Sequence, residues 1–154
     1  MNTFVALSLL LTATGAAALT KCEVSSIFND QGLNGYLGYE LGHWVCIARF
    51  ASEYDPSRAL RRESQDNRPA ISAFGIFQVN SHWCADPNFP GAARLCRVDC
   101  EDLVNDGADL RNNIACGAVA VRIHGMRAWH FWIHECDGNV QQYYEGCVLN
   151  KFGI

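Results

Sequence analysis

Phe74-Gly75-Ile76-Phe77-Gln78-Val79-Asn80-Ser81-His82-Trp83-Cys84 is the densest run of structural signals in the chain. Phe77 and Val79 alternate with Gln78 and Asn80, as a half-buried strand requires. Ile76 to Val79 is therefore expected as strand. Gly75 permits a close backbone approach just before it. The residue that precedes the run is Ala73, small and uncharged.

Upstream, Leu41, Trp44, Val45 and Ala48 recur at helical spacing and lead into Phe50-Ala51. An earlier stripe, Val24, Ile27 and Phe28, follows Cys22, with Gly32 as its stop. Asp55-Pro56 then interrupts, and Ser57 to Asn67, followed by Pro69, is polar and charged enough for loops and hairpins. Cys84 to Cys100 is loop-rich, with Pro87, Pro90 and Gly91. A third helix is expected over Leu110 to Val121 with Ile114, Ala115, Ala118 and Val121 inward. A fourth is expected over Met126 to His134. One small sheet among several helices is an α+β class. No repeat, low-complexity tract or linker divides the chain.

Composition narrows the context. Residues 1–18 carry no charged side chain. Phe4 to Leu11 is apolar, and Ala16-Ala17-Ala18 offers a cleavage site. The segment reads as a signal peptide, too short to span a bilayer. The mature domain would be 19–154, secreted and long enough for one real core. Eight cysteines, Cys22, Cys46, Cys84, Cys96, Cys100, Cys116, Cys136 and Cys147, all follow the signal. An even count in an exported chain reads as four disulfides, with the pairing left open. No CxxC pair supports zinc. The formal net charge of −4 argues against nucleic acid and other anionic partners. No later segment is apolar enough for a membrane.

Together these motifs resemble the C-type lysozyme/alpha-lactalbumin family. The resemblance rests on Gly38-Tyr39-Glu40-Leu41-Gly42-His43-Trp44-Val45-Cys46, the Phe74–Cys84 run, Gly125-Met126-Arg127-Ala128-Trp129 with Trp132, and the cysteine order. It covers essentially the whole mature chain. It implies a lysozyme-like fold: a mostly helical lobe, a small antiparallel β-sheet lobe and four disulfides. The pairs it implies are Cys22–Cys147, Cys46–Cys136, Cys84–Cys100 and Cys96–Cys116. It departs from the family in a longer Asp55–Ala73 stretch, a missing aromatic before Cys84 and a longer Cys100–Cys116 interval.

The resemblance also implies a loss. Lytic members place one carboxylate before the strand run and another one residue past the Trp-Val-Cys-x-x-x-Phe segment. Here those positions read Ala73 and Ala51. Glycosidic cleavage by this route needs a proton donor and a second carboxylate, a rule for which lysozyme is itself the type case. Alanine supplies neither. Glu53, two residues past Ala51, lies about 200° around a helix and faces away. Among other acids, Asp66 and Glu63 sit in a loop that would have to fold back over the cleft. By resemblance, Gln78, Asn80, Trp83, Ala128 (through its backbone) and Trp129 line a sugar cleft, with indoles against sugar rings and amides on acetamido groups. Trp44 and Trp132 read as core, and Trp129 also packs a wall of the fold.

The segment Asn105 to Asn113 lies where alpha-lactalbumin and some lysozymes bind calcium. Neutral Asn112 and Asn113, with Arg111 beside them, lack the charge such a site needs. A turn followed by an acid-capped helix is expected there, with no metal or other cofactor. His43, His82, His124, His130 and His134 form no ligand pattern; His130 and His134 lack the Glu of an HExxH site.

The expectation is a secreted, monomeric, non-lytic lysozyme-like protein that binds N-acetylglucosamine-containing glycans or a glycoprotein. An alpha-lactalbumin-like regulator of a partner enzyme is the alternative. A residual peptidoglycan or chitin glycosidase using unexpected groups is the third reading.

Overall fold

The structure, a computed structural model, describes residues 18–63, 66, 70–89 and 94–150. The expected signal peptide, apart from Ala18, lies outside the described residues, as do Pro69, Pro90 and Gly91. Among the described residues no helix is long and apolar enough to cross a membrane.

Helix α1 spans Lys21–Asp30. The Thr20 hydroxyl accepts from the Glu23 amide at 3.2 Å, and the Glu23 carboxylate accepts from the Thr20 amide at 2.7 Å. This reciprocal cap satisfies two amides that a helix start otherwise leaves open. Val24 and Phe28 bury the inner face. The chain leaves through Gly32 at φ 82°, a conformation that favours glycine. Helix α2, Leu41–Ser52, buries Leu41, Trp44, Val45 and Ala48 as their spacing requires. Gly42 lets it approach the Val140–Tyr143 3-10 turn: a Cβ there would meet the Val140 carbonyl oxygen at 2.1 Å.

The sheet has three short antiparallel strands, β1 (Ala59–Leu60), β2 (Ala73–Phe74) and β3 (Val79–Asn80), in the order β1-β2-β3. Leu60 pairs with Ala73, and Ala73 with Asn80. The strand expected over Ile76 to Val79 is instead mostly the turn between β2 and β3. Gly75 and Gln78 both take positive φ, 77° and 49°, and reverse the chain. The turn drives Ile76 and Phe77 into the helical lobe, where both are fully buried. The Phe77 ring lies 5.1 Å from Phe28, 6.0 Å from Trp44 and 5.7 Å from Trp129. Such aromatic clusters add to the burial of their area.

Helix α3, Cys100–Val104, leads to α4, Arg111–His124. Gly117 of α4 leaves room for Phe77: a Cβ there would sit 3.0 Å from its ring. The inward face of α4 is Asn113, Ile114, Cys116, Gly117, Ala120 and Val121. Ala115, expected inward, is exposed, because the Cys116 bridge and the Gly117–Phe77 contact set the helix rotation. The single helix expected over Met126 to His134 is a 3-10 turn, Gly125–Ala128, followed by α5, Trp132–Glu135. Trp129 between them is extended, at φ −103° and ψ 106°. That break lets its indole N–H donate to the Phe77 carbonyl at 2.8 Å.

Four disulfides, Cys22–Cys147, Cys46–Cys136, Cys84–Cys100 and Cys96–Cys116, close the molecule. Each is worth about 2–4 kcal/mol, largely by restricting the unfolded chain. The result is a helical lobe with a small three-stranded antiparallel sheet, a lysozyme-like α+β fold.

Candidate functional site

The sheet and the helical lobe enclose a cleft of about 360 Å³. Ala51, Ala73, Gln78, Asn80, Trp83, Ala128 and Trp129, drawn from separate parts of the chain, all line it. Ala51 comes from the last turn of α2. The next residue, Ser52, anchors that turn by donating its hydroxyl to the Ile76 carbonyl at 2.7 Å and to the Ala48 carbonyl at 3.1 Å. Ala73 enters from β2, between Leu60 and Asn80. Ala128 and Trp129 join the lining from the end of the Gly125–Ala128 3-10 turn.

Several of these groups are partly engaged inside the protein. Gln78 Nε2 donates to the carbonyls of Arg58 and Gly75, both at 2.9 Å, which locks the β2–β3 turn. Asn80 Oδ1 accepts from the His82 amide at 3.0 Å. Trp129 is 8 % exposed and is held by its bond to Phe77. Trp83 is half-buried and stands edge-on to His124, with ring centroids 5.4 Å apart. Among the described residues, Gln78 Oε1 and Asn80 Nδ2 make no hydrogen bond.

No carboxylate lines the cleft. The chain has 16 Asp and Glu residues, all of them among the described residues. Glu53 is the left-handed cap of α2, exposed and 3.9 Å from Arg49. Asp66 is exposed and lies outside the cleft lining. Glu63 lines a different pocket, with Arg61, Arg62 and Asp86. Arg61 holds its segment there through an ion pair with Glu101, Nη2 to Oε2 at 2.9 Å, and by lying over the Phe74 ring. The Arg61 guanidinium, through that hydrogen bond, holds the Glu101 carboxyl below the usual carboxylate range.

Phe50, Arg58, Leu60, Val79, Ala120, His130 and Phe131 also line the cleft. Sequence reasoning assigned none of them. Arg58 and Leu60 belong to a charged stretch read as loop, and β1 is too short to show a period. Phe50, Val79 and His130 carry the one available signal: each adjoins a residue already assigned to the cleft.

The Asn105–Asn113 segment is occupied by its own hydrogen bonds. Asp106 Oδ2 accepts from the Asn113 amide and from Asn113 Nδ2, each at 2.9 Å. Asp109 accepts from the Arg111 guanidinium at 3.0 Å. Asn113, fully buried, also donates to the Leu103 carbonyl and accepts from the Ile76 amide. These residues do not fit a calcium ion, which needs several free carboxylate oxygens. Among the described residues no group of three or more His, Cys, Asp or Glu side chains is placed to hold a metal.

Comparison with known proteins agrees with the fold. Residues 17–147 match the C-type lysozyme/alpha-lactalbumin family. Lysozyme C of Dromaius novaehollandiae is 37 % identical over 129 residues, covering 82 % of this chain and 84 % of that one. Lysozyme C of Crax fasciolata is 37 % identical over 133 residues, covering 84 % and 98 %. Lysozyme C-2 of Sus scrofa is 34 % identical over 154 residues, covering 97 % and 100 %. The chain belongs to the C-type lysozyme/alpha-lactalbumin family.

Proposed function

We propose that the protein is a secreted, monomeric, non-lytic member of its family, whose cleft binds N-acetylglucosamine-containing glycans or a glycoprotein. The observation that carries this reading is a cleft with no carboxylate. Ala51 and Ala73 stand where the family resemblance puts the two reacting groups, and every Asp and Glu of the chain lies elsewhere. General acid–base help is worth about 10²–10⁴-fold, and here both partners are missing. The half-buried Trp83 indole and the remaining polar atoms of Gln78 and Asn80 support retention of sugar binding. Export with removal of residues 1–18 fits the disulfide-rich domain of 19–154.

One observation favours the alpha-lactalbumin-like alternative. Gln78 Nε2 and Asn80 Oδ1 are already bonded within the protein, which leaves fewer groups to read a sugar. A glycan array paired with a wall-lysis assay on the oxidised mature protein separates the readings. Glycan binding without lysis is the expected result. Lysis above a no-enzyme control that vanishes on Asp66→Ala or Glu63→Ala would establish the residual glycosidase. Neither binding nor lysis would leave the partner-regulating role.

A further inference from the structure

The cleft holds a cation and no anion. Arg58 and His130 both line it, and none of the 16 Asp and Glu residues does. Arg49, Arg61 and Arg111 each meet an acid on the surface, at Glu53, Glu101 and Asp109. The exposed Arg58 side chain makes no ion pair and no hydrogen bond among the described residues.

The backbone beneath that side chain is fixed. The Arg58 carbonyl accepts from the Gly75 amide and from Gln78 Nε2, each at 2.9 Å. These bonds hold residue 58, just before β1, against the β2–β3 turn. They also put it beside Gln78, whose Oε1 has no partner among the described residues. A guanidinium carried on an anchored backbone loses less freedom when it closes on a ligand. Its planar fork of N–H donors matches a carboxylate in a bidentate pair. A sugar hydroxyl offers that fork one neutral acceptor, where a carboxylate offers two oxygens and a full opposite charge.

We propose that the glycan taken by this cleft is acidic: an N-acetylated oligosaccharide whose carboxylate pairs with Arg58 while an acetamido group lies with Gln78 and Asn80. His130 adds a further N–H to the same cleft. The net charge of −4 does not oppose this. Charges elsewhere on the surface are screened beyond about 8 Å at physiological ionic strength, so the groups that line the cleft decide. That net charge weighs against a polyanion spread over the surface and leaves room for one carboxylate in the cleft. The inference rests on the sugar-binding reading and deepens it by giving the charge of its ligand.

The test is calorimetry with two acidic oligosaccharides. One is a tetrasaccharide of alternating N-acetylglucosamine and glucuronic acid, the other sialylated N-acetyllactosamine. Each is compared with the same compound after its carboxyl groups are reduced to alcohols, and chitotriose is the plain N-acetylated reference. At least one acid form is expected to bind about tenfold more tightly than its reduced partner. The pair that responds tells a uronic acid from a terminal sialic acid. Arg58→Gln should bring that ratio towards one. Arg122→Gln removes the same charge from an exposed residue outside the cleft lining and should leave the ratio in place. Both side chains are exposed, so the fold tolerates the changes, and near-UV circular dichroism checks it. Ratios near one in both pairs, or no binding of the four compounds while chitotriose binds, would overturn this inference alone. A ratio that survives Arg58→Gln, or that Arg122→Gln abolishes equally, would also overturn it. No binding of the four compounds or of chitotriose would overturn the sugar-binding reading together with it.

Discussion

The Ser52 hydroxyl donates to the Ile76 carbonyl at 2.7 Å and thereby ties the end of α2 to the β2–β3 turn. Ser52 follows Ala51, and Ile76 lies in the turn that β2 enters from Ala73. One buried bond therefore connects the two segments that carry the cleft alanines. Ser52→Ala removes the donor and leaves a buried carbonyl unpaired. The expected cost is about 1–3 kcal/mol, read as a lower urea midpoint with an unchanged slope.

Asn113 makes a second connection between the lobes. Its oxygen accepts from the Ile76 amide at 3.1 Å, and its nitrogen donates to the Leu103 carbonyl at 2.7 Å. Gly75 makes this contact possible, since a Cβ there would fall 2.1 Å from the Asn113 oxygen. Asn113→Ala should cost about 2–4 kcal/mol, because several buried groups lose their partner together. Asn113→Asp should cost at least as much, since it turns a carboxylate onto Asp106 and the Leu103 carbonyl. Urea unfolding of the two variants ranks them. An Asn113→Asp protein as stable as the parent would contradict the hydrogen-bond assignment.

Asn113 also shows where the sequence was legible and where it was not. Its position among acids drew attention as a failed calcium ligand, but its partners, Ile76 and Leu103, lie 37 and 10 residues away. Helices α1 and α2 were readable because Val24 and Phe28 in one, and Leu41, Trp44, Val45 and Ala48 in the other, recur at helical spacing and are buried. The Phe77-Gln78-Val79-Asn80 alternation imitates a strand, but Gly75 and Gln78 reverse the chain, and Phe77 turns into the helical lobe. The stretch from Met126 to His134 is dense in aromatics without being periodic, so it concealed the extended Trp129. Ala51, Ala73 and the amides of the cleft were readable through motifs anchored on both sides. Leu60 and Phe131 were not, because they become neighbours of the site only through β1 pairing and the α5 approach.

Burial pushes the Tyr54 hydroxyl from its ordinary 10.0 up to about 12, against the opposing pull of Arg49. The folded state thus favours the neutral phenol, whereas the unfolded chain ionises it first. Its contribution to stability is complete below pH 10 and is lost as pH rises towards about 12. Tyr54→Phe keeps the packing and removes the titration. It should flatten the alkaline decline in stability, measured by urea unfolding at stepped pH. An unchanged alkaline slope would assign the decline to Tyr143 and Tyr144, whose hydroxyls burial also raises.

The double substitution Ala51→Glu with Ala73→Asp asks most of the cleft. Both alanines line it, one from a helix end and one from a strand, and rigid elements place groups better than loops do. The nearly buried Trp129 and the rings of Phe50 and Phe131 form an apolar wall that favours the protonated form of the introduced glutamate. Measurable but poor cleavage of a chitooligosaccharide is therefore expected. Ala51→Glu alone should recover more than Ala73→Asp alone, because solvent can stabilise a developing cation in part but cannot hold a proton at the leaving oxygen. Activity should stay low, since the aromatic missing before Cys84 loosens substrate positioning, which alone costs about 10²-fold. A well-folded double variant with no turnover at any pH would mean that the cleft no longer seats a sugar across Ala51 and Ala73.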